Sequence, residues 1–445
     1  MAFQRAVCLI PLGVAMLACG PGAERRERPP DVLLVVVDGL RADESDRWLE
    51  RSGLVDWLGG EGGSRYERAY APSSLGVQSL AALFAGRLPT HGGGIGLAEA
   101  QPAEQSVTLA TAMRRAGYRT GLVSQAPWAA RPGFARGFDD LQVAPELGWS
   151  AAQVAERALQ VVDDWHATAA PDDARPWFLV VHWAPAELDA GPSADPKRTV
   201  AESGASLAAL RRGLAERAAF ADAVVALTSG HGLERGEHGG TGAGWTLHEE
   251  VIRVPLRVRG LDPIGLAVDA PLSTLALGSA LRALAATAGD PLAREREEPA
   301  PTLPGGPGAG TVISDLVVRE RAIARAVIEG DVKYLRILRE VPPADRAVVA
   351  RGYEELQAAM VAGAIPTPPL FGEPVRELLV RVGANGIGEA ELALVDHREV
   401  LSRLRAVLRD YQRLCEEDGW APPQITERLP VDLEDVESLE MLGYL

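Results

Sequence analysis

The chain has 445 residues and is 47% hydrophobic, enough for one large domain with a sizeable core plus a smaller appendage, and too apolar to be disordered throughout. Its formal net charge of −16 excludes nucleic acid as a partner, because phosphate binding needs a basic surface. The same charge gives no long-range pull on an anionic substrate, and only a metal ion held in a cleft would reverse that field locally.

Residues 1–19 read as a targeting segment. Arg5 supplies a short positive start, and residues 6–18 are apolar but too few to span a membrane. The stretch closes Met16-Leu17-Ala18-Cys19-Gly20, small residues before a cysteine, which resembles a bacterial lipoprotein signal. That predicts a lipid on Cys19, a polar tether over residues 20–30 and an exported protein held at a membrane of the cell envelope. An ordinary cleaved signal with an incidental cysteine is the other reading. With Cys8 removed and Cys19 acylated, Cys415 stands alone, so no disulfide framework is expected, and its helical context assigns it to packing.

Residues 31–37 are a β-branched apolar run, the pattern of a buried strand in a parallel sheet, and Asp38 follows at its C-terminal end, where open α/β sheets bind ligands. Helices are expected at 79–84, 108–116 and 207–219, alternating with strands at 120–124, 177–182 and 223–229. That alternation implies an α/β fold with a mostly parallel central sheet covered on both faces, spanning residues 31–298. A Pro/Gly-rich loop occupies 299–310. Beyond it, residues 311–445 read as a smaller α+β portion, with strand-forming segments at 322–338 and 376–382. An amphipathic helix at 399–417 carries Val400, Leu401, Leu404, Val407, Leu408 and Tyr411 on one stripe.

Several blocks, in order, resemble the sulfatase family of the alkaline-phosphatase-like superfamily. Val35-Val36-Val37-Asp38-Gly39-Leu40-Arg41-Ala42-Asp43 is similar to its opening strand and first metal aspartate. Ala69-Tyr70-Ala71-Pro72-Ser73 through Leu83-Phe84-Ala85-Gly86-Arg87-Leu88-Pro89-Thr90-His91-Gly92 is similar to its nucleophile segment. Leu227-Thr228-Ser229-Gly230-His231-Gly232, with Gly236-Glu237-His238-Gly239, is similar to its second metal motif. Glu249-Glu250-Val251-Ile252-Arg253-Val254-Pro255-Leu256, Lys333-Tyr334 and the closing Leu442-Gly443-Tyr444 follow in the family's order.

The resemblance implies an ester hydrolase in which a divalent metal polarises a sulfate or phosphate and a side chain at a helix start attacks it. This sequence departs from that pattern at named stations. The nucleophile falls at Gly76, which has no side chain; Gln78 and Leu80 replace the maturation signature, so no formylglycine is expected. The second-motif aspartate falls at Gly230, the histidine after the strand at 177–182 falls at Ala186, and Gly39 follows Asp38. Asp38, His231 and, less directly, His238 remain as metal candidates for one calcium, magnesium, manganese or zinc ion, bound weakly or not at all, because oxygen ligands dominate hard-cation sites. Each has a bland reading too: Asp38 as a backbone cap, His231 as a turn residue, His238 and His248 as surface groups. Ser79, one helical turn after Gly76, is the nearest hydroxyl and reads mainly as helix packing.

Three functions follow. The first is a pseudoenzyme serving as a binding or assembly module in the envelope, meeting an anionic ester or an envelope component. The second is an active sulfate- or phosphate-ester hydrolase or transferase with a rewired site, using Asp38, His231, His238 and a hydroxyl from residues 73–79. The third is a structural envelope protein whose cleft is filled.

Overall fold

The structure is a computed structural model that describes residues 29–58, 63–91, 101–104, 106–145, 148–170, 173, 175–185, 196–261, 267–287, 310–318, 321–338, 374–383 and 387–417. The targeting segment, Ala186, most of the Pro/Gly-rich loop and the closing Leu442-Gly443-Tyr444 lie outside the described residues.

The central sheet has eight strands. Val32–Val37 lies in its middle, parallel to Trp177–Trp183 on one side and to Val224–Thr228 on the other. Arg119–Ser124 and Asp140–Val143 extend the parallel part beyond Trp177–Trp183. Beyond Val224–Thr228 the sheet turns mixed, through antiparallel Leu256–Arg259 and Gly63–Tyr66 to Ala267–Val268. The sequence reading did not anticipate these edge strands.

A period of two sends alternate residues of Val32–Val37 to opposite faces. Val32, Leu34 and Val36 join one core, with the helices Gly76–Ala85, Leu109–Arg115 and Leu275–Thr287. Leu33, Val35 and Val37 join the other, with Ser45–Ser52, Ala151–Thr168 and Pro196–Glu216. Every side chain of this strand is fully buried, and each contributes about 1.5–3 kcal/mol by the area it removes from water. Two-sided burial therefore explains the unbroken apolar run. Gly121 belongs to the same layer for a steric reason: a Cβ there would lie 2.9 Å from the Trp165 ring.

Helix boundaries are set by local chemistry. Thr108 accepts from the Thr111 amide, and Ser150 forms a reciprocal capping box with Gln153. The helix expected at 207–219 instead runs Pro196–Glu216. It stops where Ala218 and Phe220 take left-handed backbone, at φ 51° and 58°. The helix expected at 79–84 starts earlier, at Gly76, a residue type that sequence reading places outside helices.

Toward the C-terminus five strands form a separate antiparallel sheet in chain order: Thr311–Val318, Arg321–Glu329, Val332–Ile337, Arg376–Val382 and Glu389–Leu392. The helix Arg398–Glu417 covers it with Leu401, Leu404, Val407, Leu408, Tyr411 and Cys415, which places Cys415 in the packing. Buried Asp315 ties the two together, accepting from Arg325 Nε at 2.8 Å and from the Tyr411 hydroxyl at 2.6 Å. The sheet sits on the central domain: the Asp315 amide donates to Pro72 O and the Ser314 hydroxyl to Ala71 O.

Candidate functional site

The site lies at the C-terminal ends of the central strands. The Asp38 amide donates to Trp183 O, and Gly39 turns the chain with φ 80°. Asp38 is fully buried and both its oxygens are engaged. Oδ1 accepts from the Gly230 amide at 2.8 Å, and Oδ2 pairs with His182 Nε2 at 3.0 Å. On the far side of the ring, His182 Nδ1 lies 2.8 Å from Ser124 Oγ. A carboxylate only accepts, so Nε2 carries the proton; in the neutral tautomer Nδ1 then accepts from the serine hydroxyl. A buried relay Ser124–His182–Asp38 thus crosses three adjacent strand ends. Burial raises the Asp38 pKa, but the charge and hydrogen bond of His182, the charge of His231 and the Gly230 amide outweigh it and hold the carboxyl below its ordinary value.

Gly76 and Gly230 face this carboxylate. A Cβ on Gly76 would stand 2.5 Å from Asp38 Oδ2 and 3.3 Å from His231 Cδ2. A Cβ on Gly230 would stand 2.5 Å from Asp38 Oδ1 and 3.1 Å from Gly76 Cα. The stations that the sequence resemblance put together, Asp38, Gly76, Gly230 and His231, do converge in space. They converge so closely that two of them leave no room for a side chain while Asp38 keeps its bonds.

His231 is buried. Its Nδ1 lies 2.8 Å from Gly232 O, which makes Nδ1 the protonated nitrogen, and its Nε2 has no hydrogen-bond partner. This orphaned nitrogen, like the unpartnered hydroxyl oxygens of Ser74 and Thr228, is a feature that a cation would satisfy. The rest of the donor set does not fit the divalent ion of the superfamily. Hard cations collect six or more oxygens, whereas this site has one carboxylate, already committed to an imidazole and an amide.

Ser79 is also committed. Its hydroxyl donates to Ser73 O at 2.9 Å and accepts from the Ser73 amide at 3.2 Å, locking the loop to the helix start. Ser73 Oγ donates to Gln78 Oε1 at 2.8 Å, while Ser74 Oγ is buried without a partner. His238 does not join Asp38 and His231. It bonds Glu250 Oε1 through Nδ1 at 2.7 Å and stacks on His248, with ring centroids 3.6 Å apart and planes 6° apart. Burial pushes the Lys333 ammonium down, but Glu249 and Glu389 outweigh it and hold the pKa raised. Its Nζ donates to Leu247 O and pairs with both carboxylates, so its charge is already neutralised.

His182 and Ser124 are the site residues that sequence reasoning missed. The available signal was a lone imidazole near the end of the otherwise apolar run Trp177–Trp183, on the strand beside Val32–Val37. Arg41 was also passed over. It bonds Asp43 and Glu237, and, against the upward push of burial, holds Glu237 down at about 2.

Among known proteins, residues 30–184 match the family model described as Sulfatase. The fold is similar to that of a 2-O glycosaminoglycan sulfatase, at 14% identity with a TM-score of 0.58, over 92% of this chain and 96% of that one. It is also similar to a protein solved in complex with its substrate D-glucosamine-2-N,6-O-disulfate, at 11% identity and a TM-score of 0.57, over 90% of this chain and 100% of that one. A protein in the alkaline phosphatase superfamily from Vibrio parahaemolyticus matches at 12% identity and a TM-score of 0.53, over 88% and 89% of the two chains.

Proposed function

We propose that this chain, sulfatase by family model over residues 30–184 and alkaline-phosphatase-like in fold, is a catalytically impaired member of that superfamily that serves as a binding or assembly module in the cell envelope. The observation that carries the reading is the closure around Asp38: the nucleophile station Gly76 approaches its carboxylate so closely that not even a methyl fits. Groups that act as a unit in catalysis contribute non-additively, so loss of the nucleophile together with a metal carboxylate leaves little activity to recover. The mutual bonding of Asp38, His182 and the Gly230 amide also agrees with a purely structural role. Anchoring rests on the sequence around Cys19. A sulfated ligand is supported by the substrate of one structural neighbour, and opposed locally by the charge of Asp38.

A second reading, a rewired ester hydrolase, is favoured by three buried polar atoms without partners among the described residues flanking the site, Ser74 Oγ, Thr228 Oγ1 and His231 Nε2. Titration of calcium, magnesium and manganese into the protein and its Asp38→Asn variant separates the two. The impaired-site reading predicts no cation-induced rise in melting temperature that depends on Asp38. A rise seen in the unmodified protein and abolished by Asp38→Asn refutes it.

A further inference from the structure

Away from Asp38, the His238/His248 stack lies against a buried concentration of carboxylates. Glu234, Glu249 and Glu250 are buried, and the Glu389 side chain is 4% exposed. The fixed cations facing them are Lys333, paired with Glu249 and Glu389, and Arg253, 3.9 Å from Glu249. Around Glu249, Glu250 and Glu389 the negative charge among the described residues therefore exceeds the fixed positive charge, and burying carboxylate oxygens without donors is costly. One oxygen marks the deficit. Glu250 is fully buried, its Oε1 bonds His238 Nδ1, and its Oε2 meets no donor.

The geometry points to a divalent transition-metal site, of zinc-like preference, made by His238 Nε2, His248 Nδ1 and a Glu389 carboxylate oxygen. One ligand atom from each of these residues lies within 4.8 Å of the others. His248 Nδ1 is 2.6 Å and His238 Nε2 3.8 Å from Glu389 Oε2. Zinc bonds of about 2.0–2.2 Å at tetrahedral angles put ligand atoms about 3.3 Å apart, between those two values; imidazole lone pairs lie in the ring planes, so the two rings, now stacked 6° from parallel, turn out of the stack to meet one ion. Glu250 serves as the outer partner that such imidazoles carry: by bonding Nδ1 it fixes the proton there and leaves Nε2 free to ligate. The donor set of two nitrogens and one oxygen suits a borderline ion rather than calcium or magnesium. The His238 side chain is 33% exposed, so water can reach the ion as a fourth ligand.

This centre is separate from Asp38, Gly76, Gly230 and His231; of the metal candidates read from the sequence it takes His238, which does not join them. Glu389 begins the last strand of the C-terminal sheet, whereas His238 and His248 belong to the loop before the helix Glu249–Ile252. A bound ion would therefore pin that sheet to the central domain.

The test uses the full mature chain, stripped with a chelator and titrated with zinc by calorimetry, with cobalt(II) as a spectroscopic probe. The expected result is one zinc per chain, a visible cobalt band of a four-coordinate site and a higher melting temperature. His238→Gln and His248→Gln each abolish the cobalt band, Glu250→Gln weakens zinc by about 10–100-fold, and His231→Gln changes neither. Absence of stoichiometric zinc in the unmodified chain overturns the site. So does zinc binding that survives both His238→Gln and His248→Gln, or that is lost in His231→Gln. The cobalt spectrum of the unmodified chain decides the matter even where a variant fails to fold.

Discussion

Gly76→Ala is a one-methyl probe of the closed site. Gly76 is the first residue of the helix Gly76–Ala85 and does not need left-handed backbone. On propensity alone, alanine in a helix is better than glycine by up to about 1 kcal/mol. The structure predicts the opposite sign. The new methyl would sit 2.5 Å from Asp38 Oδ2, and restoring ordinary contact moves that oxygen by about 0.9 Å. Such a shift stretches the 3.0 Å bond to His182, and a hydrogen bond to a charged group is worth about 1.5–3 kcal/mol. Overpacking a tight core adds about 1–3 kcal/mol. The net expectation is a loss of about 2–4 kcal/mol in urea denaturation, once the helix gain is subtracted. Gly148→Ala, where a Cβ meets nothing within 4 Å, should stay within about 0.5 kcal/mol of the parent. In an Asp38→Ala background the same Gly76→Ala change should become neutral or stabilising, giving a coupling energy of about 2 kcal/mol or more. A neutral or stabilising Gly76→Ala in the unmodified chain would refute the claim that Asp38 fills the nucleophile station.

Other outcomes follow from the same geometry. His182→Phe keeps an aromatic ring but leaves Asp38 with the Gly230 amide alone; denaturation should show a loss of about 3–5 kcal/mol, and less than about 1 kcal/mol would mean that the carboxylate is not paired as a charge. Because the folded pKa of Asp38 lies below its ordinary 3.8, its contribution is present above that value and lost as pH falls through the folded value. Asp38→Asn should therefore flatten the fall in stability below about pH 4, and an unchanged acid limb would contradict it. Cys19→Ala should move the protein from the membrane to the soluble envelope fraction, whereas unchanged fractionation would remove the lipid anchor from the account.

Much of the fold was legible because two-sided burial leaves a strong trace. The apolar run ending at Val37 and the turn after it place Asp38 without any structure, and the stripe on Arg398–Glu417 gives that helix and its buried face. The mixed edge was not legible, since Leu256–Arg259, the strand that reverses direction, has four residues, and Ala267–Val268 and Gly63–Tyr66 are short and half-buried. At the site, the motif order groups Asp38, Gly76, Gly230 and His231, and the four are neighbours in space. What it could not give was who holds Asp38. His182 lies 144 residues away in sequence, and parallel neighbours are fixed by crossover topology rather than by local pattern. His238 enters the metal candidates only through the likeness of residues 236–239 to the second metal motif. Its real partners, Glu250 and Glu389, come from a helix start and a distant sheet.

The central claim, that a sulfatase-like scaffold here has a closed and non-catalytic core, meets its most direct test in turnover. Full-length mature protein is incubated with aryl sulfate and aryl phosphate, separately with calcium, magnesium, manganese and zinc, beside Asp38→Ala. The account predicts hydrolysis indistinguishable from the metal blank in every condition, with no difference between the protein and the variant. Turnover above the blank that disappears in Asp38→Ala would contradict it.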